Sequence, residues 1–360
     1  MNEDRIIGLQ EAANNIISVF KQERADDIVL PADNINLPDN IRISSDISPE
    51  NIEETISQKY FKTVIAIDGG SSTLLSSGNF GVGVCRAAKV SFIQNKSTGA
   101  EISPEWLLAY GDGFAVSTLK ELANANEVQI NNLPDWINII DTGRQILEYS
   151  YFRDAVRQAS KPDLILLDGA LKRSPYFSDL EFRKVLTDCY QEGITVIGIS
   201  KSSTLRWANN CPLVSRFTET TQDIPAGGVW YIRISDLAKG FSICPDIPDI
   251  YIASLYTGIG PVVRLDIPSI YRNRVEQVIS GLADKCNDPE FPGYPYPLAD
   301  AHRNTRISLQ RKKELAERLK LCVIDNGIDS RVFDAAFSDY HDILNADLSN
   351  QKLASLINNI

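Results

Sequence analysis

Cysteine is sparse and scattered in this chain: six residues, at 85, 189, 211, 244, 286 and 322, with no C-x-x-C pair among them. That spacing argues against a structural zinc site and a disulfide framework, and fits reduced, mostly buried thiols. No apolar run approaches the ~20 residues that a membrane-spanning helix needs. The N-terminus, MNEDRIIGLQ, lacks the basic-then-apolar layout of a signal peptide. A cytosolic protein is therefore expected. Positive charge is also short, with 36 Lys and Arg against 47 Asp and Glu and a formal net charge of −11. A free-standing binder of nucleic-acid backbone is usually basic. Any nucleic-acid role must then be local: a basic groove on an acidic body, or a strand delivered by a partner. There is no G-x-S-x-G elbow, no G-x-x-x-x-G-K-[ST] loop and no H-E-x-x-H, so acyl transfer, phosphate cradling and zincin chemistry lack their usual signatures. No internal repeat, low-complexity tract or clear linker interrupts the chain.

What remains is an ordinary globular composition, 43% apolar and 23% charged over 360 residues, with room for one large domain or two modest ones. Residues 5–24 carry apolar side chains at helical spacing, fit to pack on their own domain or on a partner. Three prolines and many Asn and Asp residues mark 30–50 as loop, and Pro49 to Tyr60 reads as a short helix. Strands are expected at 63–68, 80–86, 89–94 and 107–110, with helices at 114–130 and from Gly143 to Ala159. The order strand (164–168), helix (Asp179–Gln191), strand (194–199) suggests a parallel pair with a crossover. Short strands follow at 229–234, 251–255 and 261–266, then a helix at 269–285. The loop PEFPGYPYPLADAHR comes next, then a charged helix to about Lys320 and two weak helices. The expectation is one α/β fold: a mixed central β-sheet flanked by helices, with added peripheral helices.

Two of these strands end in an acid followed by glycine. VIAIDGG ends on Asp68 and LILLDGA on Asp168. If both strands are central, both carboxylates emerge at the C-terminal edge of the sheet, where ligands of open α/β sheets bind. Glycine lets a bulky substrate come close. Carboxylates converging there repel one another unless a cation sits between them, and Mg²⁺ or Mn²⁺ takes such oxygen ligands. Two ions roughly 4 Å apart suit phosphodiester displacement. Glu148, beside the apolar stripe of the 143–159 helix, is either a third acid or a solvated one. His302, one of two histidines, stands at a helix start and could ligate metal or act as an acid or base. His341 fits a solvated role. Lys201, at the end of a third strand, could meet a phosphate or face solvent. Arg144, Arg153, Lys172, Arg173, Arg303 and Arg306 form a candidate phosphate track.

Five segments occur in order: IDGGSST, RQILEYSYFRDAV, DLILLDGAL, ITVIGISKSS and GYPYPLADAHRNTRIS. Together they resemble the NurA nuclease family over roughly residues 60–310. The resemblance implies a ribonuclease H-like fold and a divalent-metal nuclease site. Asp68, Glu148, Asp168 and His302 would be the metal-binding residues, with Lys201 in the catalytic set. It also implies one or two Mn²⁺ or Mg²⁺ ions, 5′-to-3′ exonuclease and single-strand endonuclease activity, and a homodimer. The implied partner is a hexameric HerA-type ATPase in DNA end resection and repair. On that reading residues 1–60 are an N-terminal extension, 61–320 the nuclease domain and 321–360 a helical tail. The first motif is Asp-Gly-Gly, where the family more commonly has Asp-Gly-Ser. Two rival functions stand beside this one. One is a catalytically weak adaptor that docks on a translocase, with helix 5–24 as a docking element. The other is a nuclease of RNA–DNA hybrids.

Overall fold

The computed structural model describes residues 6–21, 42–43, 52–77, 80–111, 116–135, 138–158, 160–171, 174–201, 206–207, 214, 217, 228–234, 248–258 and 260–337. In chain order the strands are β1 (Ile6–Ile7), β2 (Arg42–Ile43), β3 (Glu53–Thr55), β4 (Thr63–Ser77), β5 (Phe80–Ile93), β6 (Lys96–Ile102), β7 (Glu105–Gly111), β8 (Leu164–Asp168), β9 (Thr195–Ser200), β10 (Arg206–Trp207), β11 (Val229–Arg233), β12 (Asp249–Ser254) and β13 (Val262–Ile267). The helices are α1 (Leu9–Lys21), α2 (Val116–Ala125), α3 (Ile139–Arg157), α4 (Asp179–Gln191), α5 (Val275–Ala283), α6 (Tyr296–Thr305), α7 (Leu309–Asp325) and α8 (Ser330–Phe337).

One mixed sheet organises the fold, in the order β1-β7-β5-β4-β8-β9-β13-β12-β11-β3, with β6 paired to β5, while β2 and β10 pair with each other in a separate two-stranded sheet. β4, β5 and β7 form an antiparallel meander. β8 and β9 then add in parallel beside β4. This three-plus-two arrangement is the ribonuclease H-like core. The parallel part follows from composition. β8 and β9 are runs of Ile, Leu and Val covered on both faces, and parallel strands need that cover.

The sheet's two faces are built by strand alternation. Val64, Ala66, Leu164 and Leu166 face a core shared with α5 and α6. Ile65, Ile67 and Ile165 face the opposite core, under α3. A third cluster joins Ala12, Ala13, Ile16 and Ile17 of α1 to Leu107, Leu319 and Phe333. The apolar stripe of α1 is thus buried within the chain, where α1 packs on α7. That removes it as an open docking face for a partner.

Register fixes what happens at the sheet's edge. Asp163 accepts the backbone N–H groups of Lys62 (2.8 Å) and Thr63 (2.9 Å), and its own N–H donates to Thr63 Oγ1 (2.8 Å). Val64 then pairs with Leu164, and the pairing continues to Ile67 with Leu167. The next residues on the two strands are Asp68 and Asp168.

Several segments differ from the sequence expectation. No helix forms over the described part of 49–60; Glu53–Thr55 is a strand on the edge beside β11. Edge pairing wins there: Thr55 is buried, and Tyr231 Oη donates to Glu53 Oε2 at 2.7 Å. The strands expected at 63–68, 80–86 and 89–94 are two long strands that form one hairpin with a bulge at Thr73/Leu75. The segment expected as a loop before His302 contains helix α6. Cys85, Cys189 and Cys286 are free and buried, and Cys322 is free and half-buried. Cys211, Cys244 and His341 lie outside the described residues. Among the described residues no helix is long and apolar enough to cross a membrane.

Candidate metal centre

Asp68 and Asp168 stand at the same level on adjacent parallel strands, and even spacing from Val64 and Leu164 puts both side chains on the α6 face. α6 lies across that face and brings His302. One ligand atom from each of Asp68, Asp168 and His302 can be chosen so that all lie within 4.8 Å of one another. His302 is not at a helix start. It sits in the last turn of α6, three residues before Thr305.

Asp68 is almost fully enclosed, at 4% exposure. Its Oδ1 accepts the Gly69 N–H at 2.7 Å. Its Oδ2 shares a 2.8 Å hydrogen bond with His302 Nδ1 and accepts from Thr305 Oγ1 at 3.2 Å. Burial, and then the charge of Asp168, push the Asp68 carboxyl above the usual aspartate range. Asp168 accepts from Tyr294 Oη at 3.2 Å and from Lys201 Nζ at 3.3 Å. Lys201 also lies 4.4 Å from the centre of the Tyr294 ring, a cation–π contact. Burial, and then Asp168, push the Tyr294 phenol far up, so it stays a donor. The donor set, two carboxylates and an imidazole, fits a hard-to-borderline divalent ion.

Glu148 is not one of those three. It belongs to α3, which covers the other face of the sheet. Its carboxylate lies against Gly69 and is ion-paired to Arg144, which also binds Asp141. Burial pushes the Glu148 carboxyl up to about 7, with Arg144 pulling down and Asp68 pushing up.

A family model for the NurA domain matches residues 62–307. The chain belongs to the NurA family. NurA proteins are nucleases, and this chain is one by membership. Among solved structures, the NurA nuclease from Sulfolobus solfataricus is similar over 77% of this chain and 88% of its own, with 18% identity and a TM-score of 0.48. The catalytic domain of human endonuclease V is similar over 74% of this chain and 93% of its own, with 9% identity and a TM-score of 0.41. No curated protein sequence matches the chain.

The structure explains this NurA chain's Asp-Gly-Gly. A Cβ on Gly70 would lie 2.1 Å from the Thr305 carbonyl oxygen, so α6 packs directly on the β4 backbone there. A Cβ on Gly69 would meet Glu148 Oε1 on the opposite face. Gly70→Ser is expected to cost about 1–3 kcal/mol as an overpacked contact and to push α6, with His302, off Asp68. Thermal unfolding and Mn²⁺ titration of the variant check this; an unchanged Mn²⁺ affinity would refute it.

Not every charge near the motifs of this NurA chain lines a phosphate path. Arg153 is buried and donates to the carbonyls of Glu127 (2.6 Å) and Asn126 (2.8 Å), so its role is to hold the end of α2. Arg144 is taken up by two acids. Arg303 is exposed and lies over Tyr296 and Phe291. Lys172 and Arg173 lie outside the described residues. Sequence reasoning missed Tyr294 and Thr305, though both sit inside the last motif. It also missed Asp266, a buried acid that accepts the Leu171 N–H at 3.0 Å and anchors the turn after Asp168.

Proposed function

We propose that the chain is a divalent-metal-dependent DNA nuclease, a phosphodiester hydrolase with 5′-to-3′ exonuclease and single-strand endonuclease activity. The observation that carries this reading is the meeting of Asp68, Asp168 and His302 within 4.8 Å at the sheet edge. These three would hold one Mn²⁺ or Mg²⁺ ion, while Glu148, across Gly69 on the α3 face, stays paired to Arg144. When bound, such ions supply the Lewis acidity that activates water and offsets charge on phosphodiester oxygens.

The protein's own groups do the rest. The Gly69 N–H and the Thr305 hydroxyl orient the Asp68 carboxylate, and Tyr294 orients that of Asp168. Lys201, half-exposed beside Asp168, supplies positive charge for the scissile phosphate. His302 is also half-exposed, and it ligates metal or passes a proton to the leaving oxygen. Family membership and the net charge of −11 support a partner that delivers the strand. A hexameric HerA-type ATPase acting on a cytoplasmic NurA homodimer in DNA end resection fits that need.

The test is incubation with labelled single-stranded DNA, double-stranded ends and RNA–DNA hybrid, with Mn²⁺ and with EDTA. Cleavage of DNA that needs metal and is lost in Asp68→Ala is expected. Cleavage in EDTA, or a preference for the hybrid, would overturn the reading.

A further inference from the structure

The metal centre accounts for the α6 face of the sheet edge, but a cavity opens on the α3 face of the same edge. It has a volume of about 350 Å³, within the range of small-molecule sites. Ile67, Leu167 and Leu171 form its floor, and α3, α4 and the turn after β8 form its sides. Five aromatic residues line it: Tyr149, Phe152, Tyr176, Phe177 and Phe182. The Tyr149 ring lies 5.7 Å from that of Phe177 and 6.4 Å from that of Phe182.

One feature ties the cavity to the strand: it adjoins the metal centre, because Asp168 and Gly169 at the end of β8 are part of its wall. Its charged rim selects among ligands. Asp141 and Glu148 face it with Arg144, which is already paired to both. A phosphate is repelled there. A flat, uncharged heterocycle with N–H donors at its edge is not.

We propose that this cavity takes one unstacked nucleobase of the strand being cut. The nucleotide's phosphate lies at the Asp68–Asp168–His302 centre, and its base turns to the α3 side. The proposal rests on the nuclease reading and adds a requirement to it: the strand must be able to present a free base beside the scissile bond. Stacking on aromatic side chains contributes about 1–3 kcal/mol per base and tolerates any sequence. An unpaired base is also the cheapest to extrude.

The experiment uses single-stranded oligonucleotides in which one abasic residue is moved stepwise along the strand. With Mn²⁺, cleavage next to the abasic residue is expected to fall about ten- to a hundredfold in kcat/KM. Two variants are compared: Phe182→Ala, which removes a wall, and Ala170→Phe, which fills the cavity and keeps its core packing. Both are expected to cut the normal strand as poorly as the wild type cuts the abasic one, with no further loss on the abasic strand. In parallel, 2-aminopurine at the same position reports binding without cleavage. The wild type is expected to quench it and Ala170→Phe is not. Cleavage that ignores the abasic residue at every position, with no quenching, overturns the proposal and leaves the nuclease reading standing. Quenching without cleavage supports the cavity and overturns the nuclease reading. Absence of both overturns both.

Discussion

Asp68→Asn is expected to abolish metal-dependent cleavage and, at the same time, to make the metal-free protein more stable. The two effects have one cause. Asp68 is buried, and a ligand oxygen of Asp168 lies within 4.8 Å of its own. Two like charges at that distance repel by a few kcal/mol at the effective dielectric of a partly buried site, before screening. Lys201 and solvent reduce this, so a net gain of about 1–2 kcal/mol is expected for the neutral amide in EDTA. Asparagine keeps an oxygen for the Gly69 N–H, so the local geometry survives. In Mn²⁺ the order reverses. An ion that binds only the folded protein stabilises it by about 2.7 kcal/mol at a hundred times its Kd, and the variant loses that gain. Thermal unfolding of both proteins in EDTA and in Mn²⁺, beside a cleavage assay, reads all of this. A variant that is less stable in EDTA and still cleaves would show that Asp68 is a structural acid.

Glu105→Ala is expected to be the most damaging substitution outside the centre. Glu105 is buried and accepts from Arg86 (3.3 Å) and Arg311 (2.8 Å), both mostly covered. Removing it takes their shared carboxylate from two mostly covered guanidinium groups, of which Arg311 keeps Glu314 at 3.2 Å, a loss of about 3 kcal/mol, the lower end for a broken buried pair. Arg86 also donates to the carbonyls of Thr305 (3.1 Å) and Arg306 (2.6 Å) at the C-terminal end of α6. That end carries His302 and Thr305. The variant should therefore bind Mn²⁺ more weakly, as well as unfold earlier. Glu105→Gln keeps an acceptor and should recover part of the metal affinity. Equal metal affinity in all three proteins would show that the network acts on stability alone.

The two acid-bearing strands were legible because their signal is local: an apolar run, an acid, a glycine. The α4 helix was legible for the same reason, and its bounds, Asp179 to Gln191, match the sequence reading. Helix α6 was hidden by prolines, which read as loop. Pro297 occupies the first turn of that helix, where a missing N–H costs nothing. Strand β3 was hidden because its stability comes from Tyr231 and the β11 edge, far away in sequence. Glu148 was visible as an acid near an apolar stripe. Its place on the opposite side of β4 from His302 was not, because helix spacing does not say which face of the sheet a helix covers. Tyr294 and Thr305 gave no signal of their own; only the fold of the last motif brings them to Asp168 and Asp68.

Asp163 touches none of these groups. It sits at the opposite end of β8, five residues and about 17 Å of extended chain from Asp168. Its clasp on Lys62 and Thr63 nevertheless acts as a ruler for the metal centre. A slip of one residue between β4 and β8 would turn one acid to the α3 face and leave the other alone. The spacing of the two carboxylates is thus set at the far edge of the sheet, by a carboxylate that never meets the substrate.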